Sequence, residues 1–339
     1  MPLSNPLNLT KKKVMIIAEI GNNHEGNFRI AKKLIDKAKS CKVDAVKFQT
    51  FNKDFYYANN QKKRHKKLKK FNLSFEEFKK LSQYARKKKL IFFSTPFDLL
   101  SAQNLNNIQN LFKVSSSDNN YFDLIEKILS FKKDTIISTG YADIKLIKKI
   151  ENKVLKYRGN KKKINLAFLH CVSSYPTEFD ESNIFTIKYL KKKLSKNTII
   201  GYSDHTLGIE TSLLAVSLGA KIIEKHFTLD KKFSRFRDHA ISSDPKEMRN
   251  LVKKIRFLEK MMKYDKKIPQ LSEIKSLKFN RRSCAASTNL KAGEKIFEKN
   301  IIGVRPMFGI PINNKKIFIN KKLKKNLKMG TIFKLNQFK

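Results

Sequence analysis

The chain has 339 residues, which at roughly 150 residues per domain allows about two domains, or one large barrel with a small appendage. Its 74 Lys and Arg against 29 Asp and Glu leave a formal charge of +45, yet 40% hydrophobic residues exclude a disordered polyelectrolyte. The lysines sit in short scattered runs, such as 11–13, 161–163 and 191–193, as solvated faces do, so no nucleic-acid partner is expected.

Eight apolar, β-branched runs follow one another along the chain, at 14–20, 45–50, 91–96, 111–116, 135–140, 164–171, 198–205 and 221–227. They are nearly continuous rather than alternating, as strands of a parallel sheet covered on both faces are. Helical patterns separate them. Phe28, Ala31, Leu34, Ile35 and Ala38 share one face; Ser74 with Glu77 reads as a capping box. Asp244, Pro245 and Glu247 open a helix whose stripe is Met248, Leu251, Val252, Ile255, Leu258 and Met262. Eight strand-then-helix units predict a (β/α)8 TIM barrel over 1–263, with a doubly wound open sheet as the alternative. Residues 264–280 read as a linker with a short helix, and 281–339 as a small β-rich domain.

Three cysteines, Cys41, Cys171 and Cys284, are too few and too far apart for a disulfide framework or a zinc spacing. The polar start lacks an export pattern and no run reaches 18 apolar residues, so a cytoplasmic chain with no membrane partner is expected.

Parallel barrels build their sites at the carboxyl ends of the strands. Every predicted strand here ends in polar or ionisable residues. Lys47 and Lys113, with the hydroxyls of Thr95, Ser116, Ser138 and Ser173, suit a phosphorylated oxyanion, unless the lysines pair instead with Glu19 or Glu224. His205 and His226 end adjacent strands, about 5 Å apart, where they either ligate one divalent ion together or serve as separate structural histidines. Glu224 points to the same side of its strand as His226. Five of the six histidines, all but His65, fall in or beside these strand ends.

The motifs AEIGNNHEG (18–26), KFQTF (47–51), STPFD (94–98), FKVSSSD (112–118), STG (138–140), HCVSSYPT (170–177), GYSDHT (201–206) and EKHFT (224–228) closely resemble the sialic acid synthase family. The tail, with NLKAGEKI (289–296) and VRP (304–306), resembles that family's antifreeze-like SAF (β-clip) domain. The resemblance implies condensation of phosphoenolpyruvate with an open-chain N-acylated hexosamine, such as N-acetylmannosamine, to a nonulosonic acid and phosphate. N-acetylneuraminate synthase is the label it suggests, with legionaminic or pseudaminic acid synthase as alternatives and a barrel aldolase or 3-deoxyheptulosonate-type synthase more distant. It also implies Mn²⁺, or Mg²⁺ or Co²⁺, on His205 and His226, and a domain-swapped homodimer. Lys47, Thr95, Lys113, Ser116, Ser138, Ser173, Tyr175 and Ser203 would bind phosphoenolpyruvate. Glu19, Glu224 and Asp238 would be catalytic, while Gln49 and Arg305 would address the sugar. Where many relatives carry Gly-Pro before Asp-His, this chain has Phe236-Arg237, and RPMFGI (305–310) replaces a glycine-containing turn.

Overall fold

A computed structural model describes residues 5–339 except 53, 55, 59, 159–163 and 264–265. The lysine run at 161–163 and the first two residues of the expected linker therefore lie outside the described residues. Two compact units divide the chain, residues 1–263 and 264–339.

In the first unit the order is β1 (Met15–Gly21), α1 (Phe28–Ser40), β2 (Ala45–Thr50), α2 (Lys62–Lys69), α3 (Phe75–Lys87), β3 (Ile91–Pro96), α4 (Leu99–Leu105), β4 (Leu111–Val114) and α5 (Phe122–Ser130). It continues with β5 (Asp134–Ser138), α6 (Ile144–Arg158), β6 (Leu166–Cys171), α7 (Thr186–Lys193), β7 (Ile199–Asp204), α8 (Glu210–Ser217), β8 (Ile222–His226), α9 (Arg237–Ile241) and α10 (Pro245–Met261). The strands are hydrogen-bonded in the order β3-β2-β1-β8-β7-β6-β5-β4, and the first strand pairs in parallel with the last. An open doubly wound sheet does not do this, so the unit is a nearly closed eight-stranded parallel barrel of the (β/α)8 type. At the seam between β3 and β4 a side chain substitutes for a ladder. Gln109 accepts from Ser94 N through Oε1 at 2.8 Å and donates to Ser94 O through Nε2 at 3.1 Å.

The period of two along each strand sorts the side chains. Ile16, Ala18, Val46, Phe48, Phe92, Phe112, Val114, Ile137, Phe168 and Ile223 face the helices and merge with their apolar stripes. Met15, Ile17, Ala45, Phe93, Leu111, Ile136, Ala167, Leu169 and Ile222 fill the lumen. Gly201 is required on the inner face of β7, because a Cβ there would lie 2.6 Å from Leu169 Cδ2 and from Ile222 O. The N-terminal segment, read from the sequence only as a polar start, joins this lumen core through fully buried Leu7, whose N–H donates to Asp134 Oδ2 at 2.8 Å.

The helical readings meet the structure closely. Ala31, Leu34, Ile35 and Ala38 are buried on α1, and Ser74 with Glu77 forms the reciprocal capping box of α3. Asp244 caps α10 by accepting from Lys246 N and Glu247 N. Met262 is a correction: it lies one residue past the last turn of α10 and is 46% exposed, so the buried stripe ends earlier.

Lys42, Lys89 and Lys132 follow the caps of α1, α3 and α5 with φ of 63°, 59° and 54°. That left-handed position after a helix ordinarily belongs to glycine. Replacing each of these exposed lysines by glycine should stabilise the chain by roughly 0.5–1 kcal/mol, because relief of the Cβ strain outweighs the extra entropy that glycine gives the unfolded chain. Thermal unfolding of the triple variant checks this, and a lower Tm would refute it.

The second unit contains α11 (Leu271–Asn280), β9 (Ser283–Ala286) and β10 (Ile301–Val304). The two strands form an antiparallel pair, and isolated bridges such as Leu290 with Leu327 and Lys295 with Lys322 hold the rest. Its core centres on Phe318, Phe333 and Phe338, with ring centroids 4.8–5.1 Å apart, around Cys284, Leu290 and Ile296. The β-rich character expected for 281–339 thus reduces to one small sheet, and the expected short helix falls inside the stretch read as linker. Among the described residues no helix is long and apolar enough to cross a membrane.

Candidate active site

Above the apolar lumen layer, the next inward positions are occupied by charge. Two residues beyond Ile17, Ala45, Leu111 and Ile222 lie Glu19, Lys47, Lys113 and Glu224, all at most 4% exposed. They form one chain of ion pairs. Lys47 Nζ lies 3.0 Å from Glu19 Oε2 and 3.6 Å from Glu224 Oε1, and Lys113 Nζ lies 2.9 Å from Glu224 Oε1. Of the two alternatives open in the sequence, the lysines do pair with Glu19 and Glu224: each has a buried acid partner. Gln49 Nε2 donates to Glu19 Oε1 at 3.0 Å, Ser203 Oγ to Glu224 Oε1 at 3.1 Å, and Lys47 Nζ to Thr95 Oγ1 at 3.2 Å.

The two carboxylates share one network but differ in their hold on a proton. Burial pushes Glu19 up to about 7, against the pull of Lys47 and with a push from Glu224. Burial acts on Glu224 too, but Lys113 and Lys47 together hold it well below the usual range. Lys113 itself is lowered, by burial foremost. Groups pushed apart in this way divide into a proton carrier and a fixed charge.

These residues line a cavity of about 220 Å³ together with Tyr56, Thr95, Phe97, Ser115, Ser116, Ser117, Ser138, Cys171, Tyr175, His205, His226, Arg237 and Asp238. Several polar atoms here lack a protein partner. Ser138 Oγ, Ser173 Oγ and His226 Nδ1 are buried without a hydrogen bond. Gly140 makes room for the hydroxyls: a Cβ at that position would lie 2.2 Å from Ser173 Oγ and 2.7 Å from Ser116 Oγ. Asp238 is raised, chiefly by burial.

The rings of His205 and His226 have centroids 5.5 Å apart, and Tyr175 packs against His205 at 4.1 Å. His205 Nδ1 lies 2.7 Å from Val172 O, which fixes the ring and turns Nε2 to the ligating role. His226 is held well below its ordinary pKa, by burial first and then by His205, and so presents a neutral imidazole. An orphaned buried nitrogen beside a second oriented imidazole fits a divalent ion. No group of three His, Cys, Asp or Glu that could hold a metal occurs among the described residues, so the protein would offer two ligands and leave positions for substrate and water.

The structure thus gathers Glu19, Lys47, Gln49, Thr95, Lys113, Ser116, Ser138, Tyr175, Ser203, His205, Glu224, His226 and Asp238 around one cavity. Ser173 is not among the lining residues, although its hydroxyl adjoins Ser116 at Gly140. Arg305 belongs to the second unit, where it is exposed and its Nε donates to Asn280 O at 2.8 Å.

The clustering of histidines at strand ends proves only partly functional. His170 faces outward, stacks on Tyr202 with centroids 5.6 Å apart and contacts Ser182 O, while His24 and His239 are buried away from the cavity lining. Asp204, also at a strand end, faces outward and pairs with Lys225 at 2.9 Å. Sequence reasoning missed Tyr56, Phe97 and Cys171, and named Arg237 only as a departure from the family pattern. Cys171 was legible in principle, since it continues the inward series Ala167, Leu169.

A nearly closed parallel barrel, with its polar site at the carboxyl ends of the strands, defines a barrel enzyme. The NeuB family model matches residues 34–267, and the chain belongs to that family. Its members are transferase-type condensing synthases that use phosphoenolpyruvate and sugar substrates, and this chain is an enzyme of that type. It is 41% identical to an uncharacterized protein of Methanocaldococcus jannaschii, over 91% of this chain and 90% of that one. It is 38% identical to the N,N'-diacetyllegionaminic acid synthase of Campylobacter jejuni, over 94% of this chain and 98% of the other. Among solved structures, the N-acetylneuraminic acid (sialic acid) synthetase of Leptospira borgpetersenii, in complex with citrate, aligns with a TM-score of 0.73 at 35% identity, covering 78% of this chain and 90% of that one.

Proposed function

We propose that the chain condenses phosphoenolpyruvate with an open-chain N-acylated hexosamine and water, giving a nonulosonic acid and phosphate. The observation that carries this reading is the cavity itself: two buried lysines in an ion-pair chain, with hydroxyls beside them of which Ser138, on the lining, has no hydrogen-bond partner among the described residues. A phosphate ester gives such donors their acceptors.

In this reading Lys47, Lys113, Thr95, Ser116, Ser138, Ser173, Tyr175 and Ser203 bind phosphoenolpyruvate. Its C3 forms the new carbon–carbon bond to the aldehyde carbon of the acceptor, and the aldehyde oxygen takes a proton. Water adds at C2 and gives up one proton to Glu19; the C2–O bond to phosphate then breaks as the new C2 hydroxyl becomes the keto oxygen and its proton passes to the departing phosphate, which the lysines and hydroxyls stabilise. Glu224 stays ionised and fixes both ammonium groups, while Asp238 and Gln49 face the acceptor. His205 and His226 would hold a divalent ion such as Mn²⁺, whose chemistry is polarisation of the aldehyde oxygen. The second unit acts as a SAF domain in a cytoplasmic homodimer, with Arg305 reaching the partner's acceptor.

The label suggested by the resemblance is N-acetylneuraminate synthase. The near full-length likeness to a diacetyllegionaminic acid synthase favours a second reading, in which the acceptor carries two N-acetyl groups. A panel of mono- and di-N-acylated hexosamines, incubated with phosphoenolpyruvate and Mn²⁺ and followed by phosphate release and product mass, tests both. Phosphate and a nonulosonic acid are expected from at least one acceptor, and release from none would end the proposal.

A further inference from the structure

Resting on that reading, we infer that Arg237 is a specificity-determining residue for the acceptor, taking the carbonyl oxygen of an acylamido group at the end of the sugar remote from its aldehyde. The cavity, at about 220 Å³, is smaller than the roughly 300–1,000 Å³ typical of small-molecule sites, so two substrates do not both fit within it. Phosphoenolpyruvate claims the charged floor, and the remote end of the acceptor must then lie at the rim that Tyr56, Phe97, Arg237 and Asp238 help to form.

Of the three Lys and Arg side chains that line the cavity, Arg237 is the exposed one and the one with no carboxylate within hydrogen-bond length among the described residues. Lys47 and Lys113 each sit about 3 Å from a buried carboxylate, whereas the nearest Asp238 oxygen is 3.7 Å from Arg237 Nε, beyond hydrogen-bond length. The guanidinium is nevertheless placed. It lies 5.1 Å above the centroid of Tyr175, which itself packs on His205, and the preceding residue, Phe236, stacks on Phe71 with centroids 4.6 Å apart. A guanidinium N–H at that height can donate to an amide oxygen. The neighbouring Asp238 carboxylate works against a phosphate dianion in the same place.

Steady-state kinetics of Arg237→Ala and Arg237→Lys, with saturating phosphoenolpyruvate, compare a di-N-acetylated hexose with its mono-N-acetylated counterpart. For the alanine variant the acceptor KM is expected to rise roughly 10–100-fold with the diacetylated sugar and less than about 2-fold with the other, with kcat and the phosphoenolpyruvate KM unchanged. The lysine variant should fall between. An equal rise for both sugars, no rise, or a shift in the phosphoenolpyruvate KM would overturn the assignment. Wild-type protein that releases phosphate with neither sugar would overturn the proposed function itself, and the inference with it.

Discussion

Glu19→Gln is expected to lower kcat by about 10²–10⁴-fold while costing the fold less than the same change at Glu224. The side chain is 1% exposed, and burial already pushes its carboxyl up to about 7, so the fold disfavours the ionised form that proton uptake requires. Glutamine keeps the shape and can accept from Gln49, yet it carries no exchangeable acid proton. Glu224→Gln should behave in the opposite way. Its carboxylate lies 2.9 Å from Lys113 and 3.6 Å from Lys47, and neutralising it strands Lys113, while Lys47 keeps Glu19 at 3.0 Å, a loss of about 3–5 kcal/mol for a broken buried pair. Phosphate-release kinetics and calorimetry on both variants separate the roles. A Glu19→Gln protein with near wild-type kcat, or one that unfolds as early as Glu224→Gln, would show that Glu19 is merely part of the scaffold.

Those opposite outcomes reflect what the sequence does and does not reveal. The barrel was legible because continuous β-branched runs and helical spacing are local properties, and eight successive strand–helix units admit few topologies. The inward direction of Lys47, Lys113 and Glu224 followed from strand position alone. Their pairing did not, since which ammonium meets which carboxylate depends on the stagger of strands far apart in the chain. Lys113 and Glu224, 111 positions apart, meet across the lumen. The same limit hid Gln109, whose carboxamide closes the β3–β4 seam, and Leu7, which fills the lumen from outside the strand pattern. Strand-end position alone does not separate His170 and Asp204 from the site residues beside them: a shift of one residue turns a side chain from the lumen to the helices. Arg237 stood out only as a departure from the family pattern, because it opens a short helix after β8, where no periodicity announces a direction.

Alanine in place of His205 or His226 is expected to remove turnover and to weaken Mn²⁺ binding by at least about 100-fold, since even partners behind a metal ligand are worth 10–100-fold. With two imidazoles 5.5 Å apart and no group of three candidate ligands among the described residues, neither histidine has a substitute. The readout that does not depend on activity is Mn²⁺ titration followed by electron paramagnetic resonance, and chelation should silence the wild type until Mn²⁺ is restored. Stability should respond unequally. His205 contacts Val172 O at 2.7 Å and packs on Tyr175, so its loss loosens the loop after β6. His226 carries a buried Nδ1 with no partner, so its removal also removes an unsatisfied polar atom and should cost the fold less. If both variants bind Mn²⁺ as the wild type does and still release phosphate, the two imidazoles are packing residues and the ion, where one is needed, is held elsewhere.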